Sequence, residues 1–176
     1  HALEVGKRVR TETAISRNIT SVSQAAVAMA EERLGGLEGR RVLVVGAGEM
    51  GEGMARALHG GGVAEVWVAN RTWDRAVETA TRLGGTAVRL DELPRHLADV
   101  DVLLTSTGAT AVILEYGDLD DVVAERRGRD LLIVDIAVPR DVDPSAAELD
   151  GVTLLDMDDL RSFAEAGIRE RRREIA

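Results

Sequence analysis

The chain has 176 residues, a net charge of −9 and no cysteine. That length supports one domain with a sizeable core, and the missing thiols exclude disulfides, thiolate metal sites and a cysteine nucleophile within the chain. Residues 41–160 hold 11 basic against 23 acidic side chains, a poor surface for phosphate backbones outside a specific pocket.

Aromatic residues make up only 2% of the chain, so Val, Leu, Ile, Ala and Met must build the core. No apolar run approaches the ~20 residues needed to span a bilayer, and no signal-peptide pattern is present. A cytoplasmic protein without a membrane partner is expected. The opening at His1 and the charged helical close read as a piece of something longer.

Residues 1–15 are polar and without clear periodicity, a connection entering the domain. A helix follows from Val22 to about Leu34, with Val22, Ala25, Ala26, Met29, Ala30 and Arg33 on one face and Gly35-Gly36 as its stop. Ser21 or Ser23 is expected to cap it. From Arg41 onward strand and helix patterns alternate. Strand one is 42–45, its helix runs from Met50 to Leu58, and Gly60-Gly61-Gly62 breaks it. Strand two is 65–69, followed by a helix capped by Thr72 or Asp74 that ends at Leu83. Strand three is 86–90, and a short helix over 93–98 accepts Pro94 in its first turn. Strand four is 102–105, a helix covers 119–126, strand five is 131–135 and strand six is 152–155. A last helix begins at Asp156. Short apolar strands alternating with helices predict an α/β fold, a doubly wound parallel sheet. Right-handed crossovers give the Rossmann-like strand order 3-2-1-4-5-6.

Strand one runs into Gly46-Ala47-Gly48-Glu49-Met50-Gly51, three glycines at GxGxxG spacing before a helix. In a dinucleotide-binding turn the first glycine permits the tight turn, the second the approach of a pyrophosphate, and the third close helix packing. The helix N-terminus favours an anion. About 20 residues further on, where an NAD site usually carries Asp or Glu, the chain has Asn70-Arg71-Thr72. Arg71 offers a bidentate, charge-assisted partner to a 2′-phosphate, with Asn70 and Thr72 as further donors, so NADPH is the expected cofactor. Ser106-Thr107-Gly108 after strand four would flank the other side of the switch point. Asp135, at the end of strand five, reads as a loop-holding carboxylate rather than a catalytic one. His59 and His96 lack a convincing ligand set and read as surface residues. No metal site and no catalytic residue are assigned.

Taken together, Gly6-Lys7-Arg8-Val9-Arg10-Thr11-Glu12-Thr13, Ser21-Val22-Ser23, the glycine turn, Asn70-Arg71-Thr72, the stretch from Val134-Asp135-Ile136-Ala137-Val138-Pro139-Arg140-Asp141 to Pro144, and Leu155-Asp156-Met157-Asp158-Asp159-Leu160 resemble glutamyl-tRNA reductase. The resemblance implies reduction of glutamyl-tRNA to glutamate-1-semialdehyde in tetrapyrrole (porphyrin, heme) biosynthesis, by attack of a cysteine and hydride transfer from NADPH. It also implies a linker over 1–20 from an N-terminal catalytic domain, an NADPH-binding domain over 21–156, and a spinal helix starting at 157–176 toward a dimerisation domain. The partners implied are glutamyl-tRNA, through the catalytic domain, a second copy of the chain, and the next enzyme of the pathway. A cysteine-free stretch would hold the hydride donor and be inactive alone. Two alternatives stand beside this reading. One is a shikimate-dehydrogenase-like NADP oxidoreductase, which needs a catalytic Lys/Asp pair although Lys7 is the sole lysine. The other is a non-catalytic dinucleotide-sensing or assembly module.

Overall fold

The computed structural model describes residues 22–175. The expected linker over 1–20, the Ser21 cap and the resembling stretch at 6–13 lie outside the described residues. Helix α1 covers residues 22–34. After it come β1 (Arg41–Val45), α2 (Glu49–Leu58), β2 (Glu65–Asn70), α3 (Trp73–Leu83), β3 (Thr86–Arg89), α4 (Leu93–Leu97), β4 (Val102–Thr105), α5 (Tyr116–Arg126), β5 (Leu131–Asp135), β6 (Val152–Leu155) and α6 (Met157–Ile175).

The strands pair in parallel as one sheet in the order β3-β2-β1-β4-β5-β6, the doubly wound arrangement expected from the sequence. The uninterrupted apolar runs have a simple cause. Val42 and Val44 of β1 pack with α1, α2 and α6 on one face, through Ala26, Met54, Leu58 and Leu160. Leu43 and Val45 pack with α4 and α5 on the other, through Leu93, Leu97, Leu119 and Val122. Both faces are covered, so alternation is lost.

Several boundaries differ from expectation. β3 stops at Arg89 because a 3₁₀ turn takes Leu90–Glu92. α5 starts at Tyr116 rather than Leu119, because Glu115 and Asp118 form a reciprocal capping box built from two carboxylates. A 3₁₀ helix over Pro144–Glu148 has no counterpart in the sequence pattern; Asp143 caps it, accepting from the Ser145 N–H and hydroxyl. Ser23 is not a cap. It lies inside α1, fully buried, and its hydroxyl donates to the Met50 carbonyl at 3.1 Å. Thr72 holds the N-cap position of α3, but its side chain makes no capping bond. His96 is half-buried, edge-on to Trp67 at 5.2 Å between ring centres, rather than a surface residue.

Asp156 immediately precedes α6. It accepts from the N–H groups of Asp158 and Asp159, while Asp159 accepts from the Asp156 N–H. Those bonds, with Arg140 at 2.8 Å, hold its carboxyl below the usual range. Within α6 only Leu160 is buried, and beyond Phe163 no described residue is.

The largest buried side chain is Arg126 at the end of α5. It donates to the carbonyls of Leu97 and Val100 at 2.6 Å each, of Asp130 at 2.6 Å and of Arg129 at 3.1 Å. The end of α4 leaves carbonyls without intrahelical partners, and this guanidinium takes that of Leu97, the last residue of α4, together with that of Val100 just beyond it. Burial, with Arg129 nearby, lowers its pKa from the ordinary arginine value. Arg126→Leu leaves those carbonyls buried and unpaired, so urea unfolding should show a loss of about 3 kcal/mol or more. A loss under about 1 kcal/mol would mean that water takes the guanidinium's place.

Candidate functional site

In a doubly wound sheet the crevice opens at the carboxyl ends of the strands where the winding reverses. Here that point lies between β1 and β4, and a cleft of about 260 Å³ occupies it. Gly46, Ala47 and Gly48 come from the turn after β1, Asn70 from the end of β2 and Arg71 from the turn that follows it. Ser106, Thr107 and Gly108 come from the turn after β4. A second groove, of about 510 Å³, shares Asn70, Arg71, Leu90 and Ile113 with the cleft and extends to Trp73 and Arg89.

The glycines have distinct reasons. Gly46 has φ +110°, and a Cβ there would stand 3.2 Å from the Ser106 carbonyl oxygen. A Cβ on Gly51 would lie 1.8 Å from the Gly46 carbonyl oxygen, so only glycine lets α2 start against the turn. Above Gly48 nothing stands within 4 Å, leaving the backbone open to a ligand at the start of α2.

The remaining residues expected at the site divide. Glu49 and Thr72 are exposed beside the cleft. Met50 turns away from it, packing against the core cluster of α1, where its sulfur lies 3.2 Å from the Ser23 hydroxyl. Gly51 lies beneath the turn. Asn70 uses its amide on the backbone, its Oδ1 accepting from the Ala47 N–H at 3.3 Å and its Nδ2 donating to the Thr72 carbonyl at 3.2 Å. It thereby ties the glycine turn to the segment carrying Arg71. Arg71 is exposed at the cleft, and Arg75, one helical turn on, lines it too. Arg89 lies over the Trp73 ring at 3.8 Å. None of these three arginines makes an ion pair with a described residue. An otherwise acidic domain thus gathers three arginines here, with Asp91 also lining the groove.

Sequence reasoning misses Arg75, Arg89 and Ile113, and gives Asp141, noted only within the stretch from Val134 to Pro144, no part in the site. Arg75 is reachable from its i+4 spacing to Arg71; Arg89 lies at the end of the expected strand three with nothing local to mark a site, and Ile113 and Asp141 lie in segments without a periodic signal. Asp141 is fully buried. Its Oδ2 accepts from the Thr105 hydroxyl and, at 2.9 Å, from the Thr107 N–H, and its Oδ1 accepts from the Thr107 hydroxyl. Asp135 in turn accepts from the N–H groups of Ala137, Asp141 and Val142 at 2.9–3.0 Å. This is the loop-holding part expected of it. Ser106 differs from both threonines: the residue lines the cleft, and its buried hydroxyl has no partner among the described residues. A buried hydroxyl and arginines without partners among the described residues, beside an open glycine in one crevice, suit a phosphorylated dinucleotide. Among the described residues no cluster fit to bind a metal occurs, and no helix is long and apolar enough to cross a membrane.

The shikimate / quinate 5-dehydrogenase family matches residues 28–163. The chain is 51% identical, over 98% of its length, to the glutamyl-tRNA reductase of Desulforudis audaxviator, of which it covers 39%. It is 49% identical, over 99% of its length, to that of Archaeoglobus fulgidus, of which it covers 40%. The solved glutamyl-tRNA reductase from Methanopyrus kandleri matches 99% of the chain at 46% identity with a TM-score of 0.81, the chain covering 44% of it. The chain therefore spans about two fifths of the length of these relatives. The resemblance read from the motifs is borne out.

Burial raises the pKa of Asp135 against the lowering effect of its N–H donors, with Asp141 adding to the rise. A carboxyl whose folded pKa lies above its unfolded value stabilises the fold fully below the unfolded pKa, about 3.9, and loses that contribution as pH rises through the folded value. Measured against Asp135→Asn, the unfolding free energy of the wild type should therefore fall as pH is raised from about 4. A difference that is flat or rises with pH would show that the N–H donors outweigh burial.

Proposed function

The chain belongs to the shikimate / quinate 5-dehydrogenase family, and from this premise we propose that it is the NADPH-binding domain of a glutamyl-tRNA reductase. The observation that carries the reading is the cleft at the switch point, where an open glycine turn meets Arg71 and Arg75 in a chain about half identical to such reductases. That identity favours the reductase over a shikimate-type dehydrogenase, for which the sole lysine, Lys7, is a poor match.

The backbone N–H groups at the start of α2 receive the pyrophosphate, with Gly46, Ala47 and Gly48 as the seat and Glu49, Met50 and Gly51 shaping the first turn of the helix. Arg71 receives the 2′-phosphate, Asn70 and Thr72 frame it, and Arg75 adds charge. Ser106, Thr107 and Gly108 bound the nicotinamide half. Bound NADPH supplies a hydride, and the chain's own part is to hold and orient the donor. A chain without cysteine forms no thioester, so the acyl-carrying nucleophile belongs to the part of the relatives that the chain does not span. Residues 1–20 connect to that catalytic part, residues 21–156 form the nucleotide domain, and residues 157–176 begin a helix toward a dimerisation part. The long exposed course of α6 supports that last assignment. The setting is cytoplasmic, the substrate of the whole enzyme is glutamyl-tRNA, the assembly is a homodimer, and the product passes to the next enzyme of tetrapyrrole synthesis.

NADPH should raise the melting temperature of the chain well beyond the effect of equimolar NADH. Arg71→Ala should weaken NADPH about tenfold or more while leaving NADH nearly unchanged. Equal protection by the two cofactors, or equal weakening by the substitution, would remove the case for a 2′-phosphate at Arg71.

A further inference from the structure

The end of β4 and the turn after it carry three hydroxyls in a row, Thr105, Ser106 and Thr107. Thr105 is fully buried and donates to Asp141 at 2.5 Å. Thr107 gives Asp141 both its hydroxyl and its N–H. Asp141 reaches this turn from 34 to 36 residues further along the chain, so the contact is tertiary. Its own backbone is fixed on two sides. Its N–H is held by Asp135 at 2.9 Å. Its carbonyl accepts from Ile113 at 2.7 Å and Leu114 at 3.0 Å, in the segment that closes the cleft. The Ser106 N–H is likewise spent, donating to the Val45 carbonyl at 3.1 Å. Of the three hydroxyls, that of Ser106 is left without a partner among the described residues, buried 3.3 Å from where a Gly46 side chain would begin.

We propose that Asp141 is a positioning residue for the cofactor: by capturing both threonine hydroxyls it fixes the turn so that Ser106 alone presents a hydroxyl to the nicotinamide half of the dinucleotide. The inference rests on the NADPH reading above. It assigns different work to neighbouring residues of one chemical type. Thr105 and Thr107 serve the fold, and Ser106 serves the ligand. A buried carboxylate with three strong donors holds its geometry tightly. The hydroxyl it orients can then form its bond to the ligand without first ordering a loop. The substitution Asp141→Asn would retain one accepting oxygen and replace the other by an NH2 group, which cannot accept from the donors on that side, so the turn would relax while the rest of the sheet stayed paired.

The test compares two probes, NADPH and adenosine 2′,5′-bisphosphate, by calorimetric titration of the full 176-residue chain. The second probe carries the 2′-phosphate and adenosine but lacks the nicotinamide half. Ser106→Ala should weaken NADPH about tenfold, the worth of one buried hydrogen bond, and leave the bisphosphate unchanged. Asp141→Asn should show the same selective loss. In the Ser106→Ala background it should add little further, because it acts through that hydroxyl. If Asp141→Asn does not fold, Thr107→Val, which removes one of the captured donors, must show a smaller loss with the same selectivity. Failure of the wild type to bind either probe would overturn the NADPH reading itself. With wild-type binding intact, three results would overturn the proposal alone: equal weakening of both probes by the substitution at Asp141 (or at Thr107 in its place), no weakening of NADPH, or a full additional loss in the double variant.

Discussion

The structure depends on the contact between Gly51 and the carbonyl of Gly46. A side chain on Gly51 would begin 1.8 Å from that oxygen, so α2 starts directly above the end of β1 only because residue 51 is glycine. This one approach sets the direction of the helix, and with it the unpaired N–H groups of its first turn. The neighbours follow from it. Met50 is carried inward against the cluster that includes α1, and its carbonyl takes the Ser23 hydroxyl. Gly53 must be small in turn, since a Cβ there would stand 2.6 Å from that hydroxyl. A packing constraint inside the turn thus leaves an open backbone surface above Gly48.

The other wall of the crevice is built by a different force. Two buried carboxylates, Asp135 and Asp141, gather backbone and hydroxyl donors from the ends of β4 and β5. Each satisfies groups that would otherwise be stranded in a low-dielectric site. The domain therefore has one wall shaped by the absence of side chains and one shaped by acidic side chains turned inward. Much of the remaining acid lies on the surface, whereas Arg71, Arg75 and Arg89 collect at the mouth of the cleft and the groove beside it.

Much of this was legible before any coordinates. The strand runs lacked alternation because both faces of the sheet are covered, and the handedness of crossovers then fixed the strand order. The glycine turn and Asn70-Arg71 announced themselves by spacing. What stayed hidden depends on where a side chain travels. Asp141 lies 34 residues from the Thr107 that it holds, and no local pattern marks such a pair. Arg126 looked like any charge at a helix end, and only the carbonyls around it explain its burial. Ser23 looked like a cap because serine before an apolar run usually is one; the closeness of α2 drew its hydroxyl across instead. Thr107 was read together with Ser106 because residue type cannot separate a satisfied hydroxyl from an orphaned one.

The central claim is that one crevice, at the switch point of the sheet, seats the NADP dinucleotide. Amide hydrogen–deuterium exchange of the chain with and without saturating NADPH tests it most directly. The account predicts slowed exchange at residues 46–51, at 70–72 and at 106–108, on both walls of the cleft. Protection confined to the groove between α1 and α6, around Met29, Arg33 and Phe163, or no protection at all, would contradict it.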